Sequence, residues 1–352
     1  MIILAVIISL SVLILVHEFG HFAAAKIFGV KVEEFGLGFP PRLFGKKIGE
    51  TLYSLNLLPF GGFVKIFGED SPEEIPSGRP EERSFPAEPV WRRLVIVVAG
   101  VFMNIVLGWL VFSAVFFAGA PNHLFIAQVS TGSPALEAGL KDGDVILEAK
   151  SGATVLSDPI PSNEFIGLVN AAPGAALDLK VMRGKDVFNV SLEGREVPPE
   201  GQGPLGVSLV DVGFADESFG KSIVKGFHMT VSTLRLVTIG FVDFFAKLVV
   251  QPSVLETVAG PVGIVALASQ AGSLGLVYLF ELMAFISVNL AVLNLIPFPA
   301  LDGGRAVLLI IEKIRMKPVS RKVQTAVNAF GFILLLVLMV LITVQDVGRL
   351  LN

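Results

Sequence analysis

Cysteine is absent from the 352 residues, which excludes disulfides, thiolate nucleophiles and cysteine-ligated metals; any metal must be held by His, Asp or Glu. Charge is scarce too: 16% of residues are charged, against about 25% in ordinary soluble chains, while 53% are hydrophobic. Such a chain has too little polar surface to cover its apolar mass in water. With a net charge of −4 it lacks the basic balance of a nucleic-acid binder, so no nucleic-acid partner is expected. Histidine is limited to 4 residues and tyrosine to 2, whereas phenylalanine reaches 28. The composition points to a lipid bilayer as solvent.

The apolar residues fall in blocks. Met1 to Val16 and Leu94 to Pro121 carry no charge, the second with Asn104 in its middle. A third run, Ala271 to Pro297, is interrupted by Glu281, Asn289 and Asn294, and a fourth extends from Val327 to Val344. At about 1.5 Å per helical residue these runs suit a hydrocarbon core of about 30 Å, predicting four transmembrane helices. The first run reads as an anchor, because cleavage at Ala23 to Ala25 would discard the motif described below. Ser222 to Val250 spaces His228, Arg235, Asp243 and Lys247 at near-helical intervals, as in an amphipathic helix lying on the membrane surface. Basic residues concentrate between Lys31 and Arg93, Arg79 among them, and between Arg305 and Lys322. The positive-inside rule places both loops in the cytoplasm, with both termini and the long 122–270 stretch outside.

Within that stretch, residues 122–212 read as a small α+β domain, followed by a connector over 213–270. Short strands are expected at Ile126 to Val129 and Val145 to Ala149, a short helix at Ser133 to Ala138, and a hairpin turning at Arg183, Gly184 and Lys185. The run from Gly132 to Ile146 resembles the bacterial PDZ signature. The glycine-rich piece Gly203 to Leu209, which often precedes that signature, follows it here, so a circularly permuted PDZ domain is expected.

The first apolar run continues into His17, Glu18 and His21, the pattern His-Glu-x-x-His. On a helix, residues i and i+4 share a face, so both imidazoles can hold one zinc ion with Glu18 beside it. Ionisable groups at membrane depth are costly unless they pair or coordinate. A catalytic zinc takes a third protein ligand and keeps one position open. Without cysteine a carboxylate is the economical choice, and Asp302 is the best candidate. Pro297 and Pro299 break the third run just before it, and Gly303 and Gly304 follow. Irregular backbone at membrane depth is tolerated where it lines a cavity.

Together His17-Glu18-x-x-His21, Asn294-x-x-Pro297-x-Pro299-x-Leu301-Asp302-Gly303 and the inserted domain resemble the site-2 protease family of intramembrane zinc metalloproteases, most like its bacterial regulator of sigma-E branch. The chain has room for one PDZ domain where that branch has two. The resemblance implies Zn²⁺ held by His17, His21 and Asp302 with Glu18 as general base. It further implies an oxyanion-stabilising role for Asn104 and substrate handling by Asn289 and Asn294. Thr51 to Leu57, followed by Pro59, Gly61 and Gly62, would be a membrane-associated β-loop, with Gly36 to Gly38 forming another small loop. The implied fold is a polytopic α-helical membrane protein, its membrane halves at 1–121 and 271–352. The implied activity is regulated intramembrane proteolysis in the bacterial inner membrane, with the active site near the cytoplasmic side. Expected partners are single-span membrane proteins such as anti-sigma factors after a first cleavage, the lipid bilayer, and peptide C-termini at the PDZ domain. The rival reading is a non-proteolytic PDZ adaptor with a structural zinc.

Overall fold

Helix α1 (Ile2–Ile27) carries the first apolar run and does not stop where that run ends, so the His-Glu-x-x-His segment lies on continuous helix. The computed structural model describes residues 2–69, 83–171, 174–184, 186–199, 201–214, 216–248, 250–251, 258 and 260–351. Arg79 of the basic loop and Lys185 of the expected hairpin turn lie outside these. The chain divides into two compact units, one of residues 1–113, 223–269 and 279–352, the other of residues 114–222 and 270–278.

In the first unit α1 leads into two long strands, β1 (Val32–Ile48) and β2 (Thr51–Ile66). Their register shows why the β-loop is larger than the expected hairpin. Leu52 to Leu55 of β2 pair with Glu34 to Leu37 on one side and with Phe44 to Lys47 on the other, while Gly62 to Ile66 pair with the start of β1. The two chain segments thus fold back as four strand passes, with 42–48 and 62–66 at the edges. The tight turn is at Gly49 and Glu50, and Gly36 to Gly38 lie in β1 instead of a separate loop. Gly36 has no side chain because the Phe63 ring occupies that space, 2.4 Å from where a Cβ would be. At the turn, Arg83 and Lys26 hold the Glu50 carboxyl down at about 2.

Helix α2 (Val90–Ala118) is the second expected span, α7 (Leu276–Leu295) the third and α9 (Arg321–Leu351) the fourth. The third run is shorter at its start than expected, since Gly275 separates α7 from the short α6 (Pro261–Leu274). Among the described residues five helices, not four, are long and apolar enough to cross a membrane. The addition is α5 (Phe219–Leu248), where the surface helix was expected. Its charges are spread thinly over 30 residues, so both length and apolar content suffice. One buried cluster ties the ends of these elements together: Ala24 and Ala25 of α1, Val32 and Ile66 of the sheet, Ile96 and Val97 of α2, and Ala306 and Leu309 of α8 (Asp302–Arg315).

The second unit contains a sheet of order β7-β6-β4-β3-β8, with β5 (Thr154–Ser157) paired to β4. Strands β3 (Ala120–Val129), β4 (Val145–Ser151), β6 (Ala176–Arg183) and β7 (Asp186–Glu193) stand where strands were expected. Helix α3 (Pro134–Glu137) is entered through Ser133, whose hydroxyl accepts from the Leu136 amide. The last strand, β8 (Val207–Phe214), returns antiparallel beside β3, the first. Helix α4 (Ser162–Ala171) covers a core of Leu124, Ile126, Ile146, Leu179 and Val181 through Phe165.

Candidate metal centre

The i, i+4 spacing on α1 brings the His17 and His21 imidazoles to one face, and both are buried. Their Nε2 atoms are 3.2 Å apart. The Asp302 carboxylate, at the first turn of α8, completes the group, its Oδ2 3.0 Å from His17 Nε2 and 3.4 Å from His21 Nε2. A tetrahedral ion with bonds of roughly 2.0–2.1 Å keeps its donors about 3.3 Å apart, so the three atoms fit zinc. The same Asp302 Oδ2 is buried and accepts no protein hydrogen bond of proper geometry, an orphan that a cation would satisfy.

Local backbone explains how Asp302 gets there. After Leu295 the chain turns through Pro297 and Pro299, and the glycines after Asp302 let α8 start pressed against that turn. A Cβ on Gly303 would stand 2.2 Å from the Ile296 carbonyl oxygen, and one on Gly304 2.2 Å from that of Phe298. Helix α8 is then fixed by Ala306 and Leu309 in the shared core and by two ion pairs. Arg305 reaches Glu69 at 2.7 Å, and Arg93 of α2 grips both carboxylate oxygens of Glu312.

Glu18 borders the same space, and its Oε2 accepts a hydrogen bond from the Val64 amide at 3.1 Å. Ile14, His17, Glu18, Asn104, Leu290, Asn294, Leu301 and Asp302 line a cavity of about 240 Å³. Asn294 points its Nδ2 toward His17 Nε2 at 3.4 Å. Asn289 is not brought to this wall: its Nδ2 donates to the Phe285 carbonyl of its own helix at 2.9 Å. Five residues of α-helix turn the chain about 140° past a full circle, which separates Asn289 from the face that Asn294 presents.

The structure adds residues that motif reading passed over. His21 Nδ1 lies 2.8 Å from the Ile96 carbonyl oxygen, which can only accept, so this nitrogen carries the proton and Nε2 is free for a metal. Gly100 makes room for both rings, since a Cβ there would lie 2.4 Å from His21 Nε2 and 2.7 Å from His17 Cε1. Gly100, Asn104 and Gly108 recur at i, i+4 and i+8 on α2, and this spacing is the signal in the sequence that points to Gly100. Gly108 serves the packing of α2 on Val288 and Ala284. Nothing in the sequence singled out the Val64 amide.

The profile of Peptidase family M50 matches residues 5–338. A candidate zinc metalloprotease of Clostridium perfringens (strain 13 / Type A) is 37% identical over 347 residues, covering 99% of this chain and 98% of its own. The regulator of sigma-W protease RasP of Bacillus subtilis (strain 168) is 28% identical over 425 aligned positions, covering 99% and 98%. The zinc metalloprotease RasP of Shouchella clausii (strain KSM-K16) is 30% identical, covering 99% of both. The match spans the His-Glu-x-x-His helix, Asp302 and the long apolar helices alike. The chain therefore belongs to peptidase family M50 and is a zinc metalloprotease of the site-2 type, a bacterial multi-pass membrane protein.

Proposed function

We propose that this protease hydrolyses peptide bonds in or beside the transmembrane helix of single-span membrane proteins, with Glu18 as general base. The observation that carries the reading is the grouping of His17, His21 and Asp302 beside a cavity that His17, Asp302 and Glu18 line among apolar helices. His17, His21 and Asp302 would hold the zinc, which when bound would supply Lewis acidity that makes water more acidic and polarises the scissile carbonyl. Glu18, oriented by the Val64 amide, takes the proton of the attacking water as its oxygen bonds to the carbonyl carbon. It returns that proton to the leaving nitrogen as the C–N bond breaks, leaving a carboxyl and an amine. Asn294 offers an amide N–H to the carbonyl oxygen as it gains charge. Asn289, on another face of α7, handles substrate outside the cavity.

A helix must unwind before it can be cut. The edge strand 62–66 supports β-addition as the means, because among the described residues it pairs only with the start of β1 and its Val64 amide reaches Glu18. A substrate strand laid along that edge would be delivered to the base.

Four spans and an outward-facing pair of termini remain our topology. Helix α5 starts beside the later part of α2, where Trp109 Nε1 donates to the Ile223 carbonyl. After α5 the chain reaches Gly260, packed against Ile342 and Asp346 near the end of α9. Both α2 and α9 run opposite to α1, so α5 is flanked by points on one side of the bilayer. An even number of crossings between them supports α5 lying at the outer surface. The site then sits toward the cytoplasmic side of the inner membrane.

Residues 122–212 are assigned to a circularly permuted PDZ domain. Its support is β8 returning beside β3, and an apolar groove of about 440 Å³ between α4 and β8, closed by the Gly203 to Gly206 loop. That groove suits a peptide C-terminus, such as one freshly exposed by a first protease. The name of the Bacillus subtilis relative concerns sigma-W; carried here, it suggests a trimmed anti-sigma factor as substrate. The adaptor reading is disfavoured because a structural zinc needs no carboxylate base at its border.

The test is purified protein and its Glu18→Gln variant incubated with single-span substrates. The parent should release fragments cut within apolar segments. The variant should release none while its zinc content stays equal; retained cleavage would remove Glu18 from the mechanism.

A further inference from the structure

The two zinc-binding imidazoles are supported from behind by different groups. His21 has the Ile96 carbonyl at its Nδ1. His17 has the Asn104 side chain at its Nδ1, with Nδ2 3.2 Å away. His17 Nε2 faces Asp302 and His21, so it is the coordinating atom and must be unprotonated when metal is bound. The proton of the neutral ring then sits on Nδ1, a donor. A donor facing the amide NH₂ is unsatisfied. Meanwhile Asn104 Oδ1 is buried and has no hydrogen-bond partner. Turning the amide by 180° exchanges the two ends and gives Nδ1–H an acceptor, leaving the NH₂ group as a donor at the position that Oδ1 held.

We propose that Asn104 is a positioning residue for His17: its carbonyl oxygen accepts the His17 Nδ1 proton, fixing the tautomer and ring angle that present Nε2 to zinc. This rests on His17 being a zinc ligand, and it is a role distinct from the oxyanion role that the family resemblance implied. Asn104 is completely buried; one end of its amide abuts His17 and the other is closed off from solvent. Its backbone is fastened as well, since Ser287 Oγ donates to the Asn104 carbonyl at 2.8 Å. Asn104 and Asn294 both border the cavity.

The two roles demand opposite chemistry at residue 104. Orientation of His17 requires an acceptor, whereas oxyanion stabilisation requires a donor. Asn104→Asp keeps the acceptor and removes the donor; Asn104→Leu keeps the shape and removes both. Full-length parent and both variants would be titrated with Zn²⁺ against a competing chelator in detergent, with the thermal unfolding of each metal-free protein as a folding control. Removal of an outer-shell partner commonly weakens metal binding about 10–100-fold, and that loss is expected for the Leu variant. The Asp variant should bind zinc within about threefold of the parent. Equal zinc affinity in parent and Leu variant would overturn the proposal, as would an Asp variant that loses affinity as much as the Leu variant. A parent that binds no zinc would instead refute the ligand assignment itself. Should the Leu variant fail the folding control, Asn104→Ser, a shorter acceptor, takes its place and is expected to bind zinc with an affinity between those of Asp and a residue with no acceptor.

Discussion

At the scale of single residues, the metal centre depends as much on what is missing as on what is present. Gly100 donates nothing, yet both imidazoles rest against its Cα. Gly100→Ala would push a methyl to within 2.4 Å of His21 Nε2 and 2.7 Å of His17 Cε1, inside any permitted contact. The rings must rotate or α1 must move away from α2, and α1 has little freedom because Gly20 is itself against the Ala99 carbonyl oxygen. Zinc affinity is expected to fall at least about tenfold although no ligand or hydrogen-bonding group is altered, as for other losses of support behind a metal ligand. Chelator competition checks this, and unchanged affinity would mean that the helices separate freely.

At the scale of elements, α8 is the part that has to be delivered. It brings a single ligand from a region nearly 300 residues away in sequence, and its hold on α2 is the forked pair of Arg93 with Glu312, both largely buried. Removing one member of such a pair leaves the other charge buried and alone, at a cost of about 3–5 kcal/mol. Glu312→Ala is therefore expected to lower the thermal midpoint and, because Asp302 starts the same helix, to weaken zinc binding. The exchange Arg93→Glu with Glu312→Arg should recover part of both. Calorimetry with and without added zinc separates the two effects, and a destabilised variant with parental zinc affinity would show that α8 holds its place without the pair.

For the whole molecule, the question is sidedness. The natural absence of cysteine makes the answer accessible, because a single introduced thiol has no background. Cysteines placed at Ala127 in the inserted domain and at Gln251 after α5 are expected to react with an impermeant reagent from the same, outer side. A cysteine at Lys46 in the β-loop should react only after the membrane is opened. Labelling of the position 251 thiol from the inner side would convert α5 into a fifth crossing and reverse the proposed placement of everything after it.

What the sequence determined by itself is what local periodicity can encode. The i, i+4 histidines lie on one helix face whatever the fold does, apolar runs of 20 residues must find lipid, and two prolines before an Asp and two glycines after it enforce a turn there. Those features singled out His17, His21 and Asp302 as candidate ligands. The tertiary structure decided everything that depends on which faces meet. It separated Asn294, on the cavity wall, from Asn289, which helical rotation turns elsewhere. It set the Asn104 amide against His17 Nδ1, and it placed the Val64 amide on Glu18 through a strand register that alternation of residues could not specify. The reason is physical: spacing along one helix fixes an angle, but the partner presented at that angle is chosen by packing between segments far apart in the chain.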